Sequence, residues 1–343
     1  MPRGLSRRTS RKGRYPAEQG SPLSNPFEIA PQPCCIPSRA RQTQLEFSRA
    51  AASSRERVTS GSVDGMVHLD GGRFLMGTES AERFSADGEG PVRAVTLTGF
   101  YMDVNPVSNA QFSEFVKATG YETDAERFGW SFVFQAHVPK ELVEDRVLGV
   151  DWWCKISGAA WNRPEGRDSG IDSRLDYPAV HTSWNDAAEY ARWAGKRLPT
   201  EAEWEYASRG GLEQRTFPWG DELTPEGRHL CNVWQGDFPH HDTGEDGWTA
   251  VAPADAFPAN GYGLFGVTGN AWEWCADWFH PKWHVTATRV NPIGPPEGKS
   301  RVMKGGSWLC HQSYCNRYRV AARTSNTPDS STTNISFRCV RDQ

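Results

Sequence analysis

The run H-T-S-W-N-D-A-A-E-Y-A-R-W-A-G-K-R-L-P-T-E-A-E-W-E-Y-A, residues 181–207, decides the fold. Ser183 is a good N-cap, because its hydroxyl can satisfy a backbone N–H of the first helical turn. Ala187, Ala188, Ala191 and Ala194 then form a small-residue face before Gly195 stops the helix. Thr200-Glu201-Ala202-Glu203 is a capping box, in which cap and third residue satisfy each other's backbone donors. It opens a further helix through Trp204 and Tyr206.

Upstream, Ser108 begins S-N-A-Q, another capping box with Gln111 at the third helical position. Phe112, Phe115 and Val116 follow at helical spacing, so this helix is expected to end near Gly120. Those aromatics are most simply core. Val92 to Tyr101 alternates as a strand does. Met66–Leu69 and Gly71–Gly77 read as a short strand pair joined by glycine turns. From Pro218 onward Gly, Pro, Asn and Asp recur every few residues, which predicts loops and short strands pinned by tryptophans. The class is α+β: a single loop-rich domain with little regular secondary structure. No internal repeat is visible, nor a glycine-rich phosphate loop of the P-loop or dinucleotide type.

Composition narrows the function. A chain of 343 residues suffices for two ordinary domains or one large one. A hydrophobic content of 37% with 15 tryptophans can build a core, whereas a mean hydropathy of -0.65 and 33 glycines point to many loops. The formal net charge of -4 argues against general nucleic-acid binding, which needs a basic face. No apolar run reaches the roughly eighteen residues of a membrane span, so no membrane partner is expected. Met1 to about Gly61 is rich in Arg, Pro and Ser without apolar periodicity. Residues 1–61 are therefore expected to be a disordered basic tail, and residues 62–343 the folded domain. Ser6-Arg7-Arg8 faintly resembles a twin-arginine export signal, but no apolar region follows, so a reducing cytoplasm is the expected compartment.

Eight cysteines, Cys34, Cys35, Cys154, Cys231, Cys275, Cys310, Cys315 and Cys339, are too sparse for a disulfide scaffold. Two of them stand five apart in K-G-G-S-W-L-C-H-Q-S-Y-C-N-R-Y-R, residues 304–319. By spacing alone such a pair is a short-loop disulfide, two inert buried thiols, a redox couple or a two-thiolate metal site. Two close thiolates suit a soft, low-coordinate ion, above all Cu(I). Arg317, Arg319 and Arg323 nearby would favour the thiolate form electrostatically. His280 and His284 form H-x3-H, but Pro281 lies inside it and no Glu follows, which argues against a metal pair. His311, between the cysteines, reads equally as a supporting or a solvated residue.

The cluster R-V-x-K-G-G-S-W-x-C-H-x-S-Y-C-x-R-Y-R, followed by A-A-R-T-S-N-T-P-D-S-S and N-I-S-F-R-C, closely resembles the C-terminal core of formylglycine-generating enzymes, the sulfatase-modifying oxidases. G-G-R-F-L-M-G-T, the 181–207 run and G-N-A-W-E-W resemble the same family and its wider superfamily. The resemblance covers about Met66 to the C-terminus and implies one compact domain related to C-type lectins. It implies aerobic, copper-dependent oxidation of a cysteine to Cα-formylglycine within a C-x-P-x-R segment of an unfolded sulfatase polypeptide. Cys310 and Cys315 would be the Cu(I) ligands and dioxygen (O2) the co-substrate. Ser307, Tyr314, Trp272, Arg323 and Asn334 match residues of the family's active-site wall. Plain packing is the competing reading for Tyr314, Arg323, Asn334 and, most of all, Trp272.

Oxygen donors in glycine-rich loops are what Ca(II) requires, although on the residues alone a solvated carboxylate is the commoner case. The resemblance implies one structural calcium held by Asn232, Asp246 and the carbonyls of Val233 and Trp248. It implies a second held by Glu273 with the carbonyls of Gly269 and Ala271, where Gly266 replaces an Asn common in relatives. Secreted relatives cross-link their last cysteine to one that Ser208 replaces here, so Cys339 is expected to lack that disulfide. Trp130, in R-F-G-W-S, replaces a carboxylate that in relatives helps hold the motif arginine. Iron-dependent sulfoxide synthases of the superfamily use histidines from an extra N-terminal domain, and no such set precedes Met66. A monomer is expected. Two readings compete with the oxidase: a lectin-like binding module, which would not need the cysteine pair, and a thiol–disulfide oxidoreductase with Cys310 and Cys315 as its couple.

Overall fold

The computed structural model describes residues 36–39 and 58–343. In chain order, Met66–Leu69 (β1), Gly72–Met76 (β2), Arg93–Leu97 (β3) and Phe100–Asp103 (β4) lead into helices Asn109–Thr119 (α1) and Asp124–Phe128 (α2). Trp130–Phe134 (β5), Asp145–Arg146 (β6) and Trp153–Ser157 (β7) follow, then Trp184–Trp193 (α3) and Glu201–Ser208 (α4). The remaining strands are Gly236–Asp237 (β8), His241–Asp242 (β9), Trp272–Trp278 (β10), Arg301–Lys304 (β11), Thr324–Asn326 (β12), Ile335–Ser336 (β13) and Val340–Asp342 (β14).

The helices begin where their caps dictate. Ser108, Thr123, Ser183 and Thr200 each accept from the third helical N–H, and Gln111, Glu126, Asp186 and Glu203 reach back to the cap. α1 ends at Gly120, whose left-handed φ of 68° suits glycine. α2 is an addition to the expected helices; its T-D-A-E opening is a full capping box, but the helix is only five residues long.

Strand pairing departs from expectation. β1 does not pair with β2: Met66 lies opposite Asp103 of β4, and Gly72 of β2 lies opposite Leu97 of β3. The expected single strand Val92–Tyr101 breaks at Thr98-Gly99, so its two halves enter different sheets. The central sheet runs β12-β11-β10-β13, with β10 antiparallel to β11 and parallel to β13. A second sheet runs β1-β4-β14 and a third β5-β7-β6.

Trp272, Trp274, Met303, Ile335 and Phe337 from the central sheet and the chain beside it pack with Phe112, Phe115 and Tyr190 of α1 and α3, and Cys310 and Cys315 lie inside this cluster. Burying a side chain such as phenylalanine contributes on the order of 2–3 kcal/mol, so aromatic packing rather than helix propensity holds so loop-rich a fold. No described helix is long and apolar enough to cross a membrane.

Of the expected disordered tail, residues 1–35 and 40–57 lie outside the described residues. The rest is ordered: Ile36, Pro37 and Arg39 are buried against the domain, and Gly61 N donates to the Gly195 carbonyl at 2.9 Å. An Arg/Pro/Ser-rich composition describes the average of a segment, not the fate of four residues within it.

Candidate active site

β11 delivers the chain to Gly305-Gly306, both left-handed, at φ 93° and 75°. A Cβ at Gly306 would stand 2.7 Å from the Tyr318 Cα, so only glycine lets the following loop fold back this tightly. The loop then winds through short bonds: Cys310 N donates to Ser307 O at 2.9 Å and Cys315 N to His311 O at 2.7 Å. Trp308 and Leu309 anchor it among Phe132, Phe134, Trp153 and Trp234. The sulfurs of Cys310 and Cys315 come to face each other at 3.6 Å, both fully buried. A disulfide needs about 2 Å, so here they stand as two facing thiols.

Three of the expected residues converge on this pair. Ser307 Oγ lies 4.0 Å from the Cys310 sulfur and accepts from Asn334 Nδ2 at 2.8 Å and from Leu309 N at 3.4 Å. With its acceptor sites so engaged, the hydroxyl keeps its proton for the sulfur. Asn334 Oδ1 in turn accepts from Thr332 Oγ1 at 2.5 Å, and Trp272 N donates to the Asn334 carbonyl at 2.8 Å. Trp272 thus backs the site from the core, its indole N–H buried without a bond partner. Tyr314 stacks on Phe238, ring centroids 5.2 Å apart, and lines a cleft of about 1090 Å³ together with Phe84, Phe217, Asn316 and Tyr318.

The three arginines separate. Arg317 Nη1 lies 3.6 Å from the Cys315 sulfur, while its Nε donates to Asp87 Oδ2 at 2.6 Å. Burial pushes the Asp87 carboxyl up and Arg317 opposes that shift. Arg319 and Arg323 do not serve the thiols as expected. Arg319 donates to both oxygens of Glu89 at 2.8 and 3.0 Å, because a buried guanidinium must be paired. Arg323 pairs with Glu201 at 2.7 Å and lines a separate small cavity beside Met76, Trp278 and His284. Its link toward the thiols runs through the Asp87 carbonyl, 3.1 Å away. His284 sits in that cavity with its pKa pushed down to about 4 by burial, while His280 Nδ1 accepts from Lys282 N at 3.1 Å. His311 is half-buried and shares a 2.7 Å bond with Ser313.

Next to Asn334, the loop of residues 326–331 forms one wall of a groove that holds Ile36–Arg39. Asn326 Nδ2 donates to the Pro37 carbonyl at 2.9 Å, and Ser38 and Thr327 share a hydroxyl bond at 3.3 Å. Arg39 donates from N to Ser330 Oγ (3.0 Å), from Nε to the Asp329 carbonyl (3.0 Å), and from Nη2 to the Trp130 carbonyl (2.8 Å) and Ser331 Oγ (3.1 Å). Its guanidinium lies over Trp130 at 4.0 Å and Phe128 at 4.3 Å. Burial pulls it down to about 10, against the field of Asp329, Asp124 and Asp186. An arginine at Trp130 is therefore held by aromatic faces and carbonyls. Below, Ser331 bonds Ser131 at 2.9 Å and Ser131 bonds His181 Nδ1 at 2.8 Å. Burial holds His181 down at about 4. Asp87 carries no local motif, and although Ser131, His181 and Ser331 lie within family-like runs, nothing in the sequence sets them apart from their neighbours there.

The oxygen-donor loops differ from each other. Around the first, Val233 N and Trp248 N donate to Asp246 Oδ2 and Oδ1 at 3.1 and 2.9 Å. Asn232 gives its amide nitrogen to Ala250 O at 2.8 Å, which leaves its side-chain oxygen for a cation. The Gln235 amide nitrogen contacts both the Val233 carbonyl and Asp246 Oδ2, taking the place a positive charge would take. Those donors fit a hard cation. Glu273 is already occupied: Arg338 donates to both its oxygens at 2.7 Å, and Trp204 Nε1 to one of them at 2.7 Å. With Gly266 supplying no side-chain oxygen and only the Gly269 and Ala271 carbonyls left to help, this set does not fit a second Ca(II). Cys339 is a buried free thiol, and Ser208 is buried too.

Residues 50–343 match the sulfatase-modifying factor enzyme 1-like domain. A formylglycine-generating enzyme of Thermomonospora curvata is 62% identical over 283 residues, covering 81% of this chain and 93% of that protein. One from Streptomyces coelicolor is 55% identical over 295 residues, covering 85% and 94%. Among solved structures, PvdO from Pseudomonas aeruginosa shares the fold with a TM-score of 0.60 at 25% identity, over 81% of this chain and 94% of that one.

Proposed function

The chain belongs to the sulfatase-modifying factor family, that of the formylglycine-generating enzymes, and on that premise we propose that it oxidises a cysteine in a C-x-P-x-R segment of an unfolded sulfatase to Cα-formylglycine. The observation that carries this reading is the pair of buried thiols facing each other at 3.6 Å beside the Ser307–Asn334 bond. Written to balance, the cysteine thiol-bearing methylene with dioxygen, two electrons and two protons becomes an aldehyde, hydrogen sulfide and water. Dioxygen is the oxidant and an external thiol the source of the two electrons.

Two thiolates fit Cu(I), which Cys310 and Cys315 would hold and which, when bound, supplies the activation of dioxygen. The protein's own groups do the rest. Ser307 donates toward the Cys310 sulfur, Arg317 favours the charged form of Cys315, and the buried setting keeps bulk water from both. The cleft beside Tyr314 admits an extended polypeptide, and Trp130 with the 326–331 loop takes its arginine. Ca(II) at Asn232, Val233, Asp246 and Trp248 would brace the loop whose residue Trp234 donates its backbone N–H to the Cys310 carbonyl at 3.1 Å. Cys154, Cys231, Cys275 and Cys339 are buried free thiols, which suits a reducing compartment such as the cytoplasm. One chain contains the whole site, so the working unit is taken as a monomer.

The test is mass spectrometry of a C-x-P-x-R peptide incubated aerobically with the protein, a thiol reductant, and Cu(I) present or withheld. A copper-dependent loss of about 18 Da supports the oxidase, since simple sulfur oxidation adds mass instead. With copper loaded, no loss of about 18 Da in either the peptide or the protein itself, or full activity of Cys310→Ser, would overturn it.

A further inference from the structure

Ile36–Arg39 is bound as a ligand is bound. Its described contacts include residues 326–331, the end of α2 and the start of β5, and its arginine lies over the Phe128 and Trp130 rings and donates four bonds. Burying a guanidinium is costly unless every part of the pocket serves it, so this pocket is built for an arginine. The positions held hardest are Pro37 and Arg39, both buried, while Ser38 between them is half-exposed. Ile36 joins the apolar cluster that contains Cys310, Cys315 and Trp272. The loop that grips Pro37 and Arg39 continues through Thr332 to Asn334, which bonds Ser307 beside the Cys310 sulfur. Groove and thiols are thus two ends of one short stretch of chain.

The sequence immediately before this segment completes a pattern: Cys35-Ile36-Pro37-Ser38-Arg39 is itself C-x-P-x-R. We propose that Ile36–Arg39 occupies the groove of the client peptide, and that the chain is its own substrate, converting Cys35 to Cα-formylglycine in cis. This rests on the oxidase reading above and names a first substrate for it. The balance is the same: the Cys35 methylene becomes the aldehyde carbon, its sulfur leaves as hydrogen sulfide, and dioxygen supplies the aldehyde oxygen and one water, with two electrons and two protons from an external thiol. Cys34 is out of register with Pro37 and Arg39 by one residue and stays a thiol.

The full-length chain is incubated aerobically with Cu(I), a thiol reductant and an added C-x-P-x-R peptide, and both polypeptides are read by tandem mass spectrometry and an aldehyde-reactive label. The expected result is a loss of about 18 Da at Cys35 and none at Cys34, absent in Cys310→Ser. Arg39→Ala should cut conversion of Cys35 by roughly tenfold or more. The same variant should still convert the added peptide, with a lower KM because its groove is vacated. Conversion of the peptide with Cys35 left as a thiol overturns self-modification and leaves the oxidase standing. Conversion of Cys35 undiminished in Arg39→Ala overturns the role of the docked segment. No conversion of either polypeptide overturns both readings.

Discussion

Arg317 holds its Nη1 3.6 Å from the Cys315 sulfur and its Nε 2.6 Å from Asp87, so one guanidinium bridges a buried carboxylate and a buried thiol. Groups that support a metal ligand in this way typically change metal affinity by about 10–100-fold. Arg317→Met is expected to weaken Cu(I) binding by roughly that factor, measured by competition with a Cu(I) chelator. The double variant with Asp87→Asn removes the stranded carboxylate and should recover thermal stability without recovering copper affinity. Recovery of both would make Arg317 a purely structural residue.

The arginine pocket makes a claim about client peptides. A lysine ammonium can approach a ring, as Lys155 does Trp130 at 5.1 Å, but it cannot present a planar fork to two carbonyls and a hydroxyl while lying over Trp130 and Phe128. In the Arg39→Ala background, where the groove is open, changing the peptide's Arg to Lys should raise KM by about tenfold or more with little change in kcat. Trp130→Ala should do the same to the Arg peptide. An unchanged KM in both cases would remove the pocket from recognition.

The parts of this fold that were legible in the sequence are those whose cause is local. Ser108, Ser183 and Thr200 open helices because cap and third residue lie within one turn. The Gly-Gly turn and the two cysteines belong to one loop, so their meeting was also legible, as was Ser307 beside them. Pairings across the chain were not. Nothing near Val92–Tyr101 tells that its two halves enter different sheets, and nothing near Arg317 or Arg319 announces Asp87 or Glu89, each 230 residues away. Arg323 matched an active-site wall by motif, yet its charge is committed to Glu201. Ile36–Arg39 was hidden by the composition around it.

His181 links acid sensitivity to the groove floor. Burial holds its pKa at about 4, whereas the unfolded chain titrates near 6.5. Between those values the unfolded state takes a proton that the folded state refuses, so stability falls as pH drops from 6.5 toward 4. The loss from this residue is up to roughly 3 kcal/mol. Urea unfolding across pH 4–7 should show a shallower loss for His181→Asn, a residue that tolerates the left-handed φ of 57° found here. Parallel curves for the two proteins would refute the assignment.

Calcium should act through Asp246. A cation that binds only the folded state adds about 2.7 kcal/mol at a hundredfold excess over its Kd. Millimolar calcium is therefore expected to raise the melting temperature of the chelator-treated protein and leave Asp246→Ala unmoved. Glu273→Gln should respond to calcium as the parent does, because Arg338 already takes that carboxylate. Loss of the response in Glu273→Gln would restore the second site.

The docked segment also changes what a rate measurement on this protein means. Ile36–Arg39 shares a chain with its own groove, and a tethered ligand meets its site at an effective concentration on the order of millimolar. On the self-docking proposed above, a client segment arriving from solution would compete against that local excess, and clients at micromolar levels would find the groove open only for the fraction of time that the resident arginine has left Trp130. Affinity for a client measured on the whole chain is then a ratio of two affinities, and the order in which clients are served is set by how well each displaces the chain's own tetrapeptide.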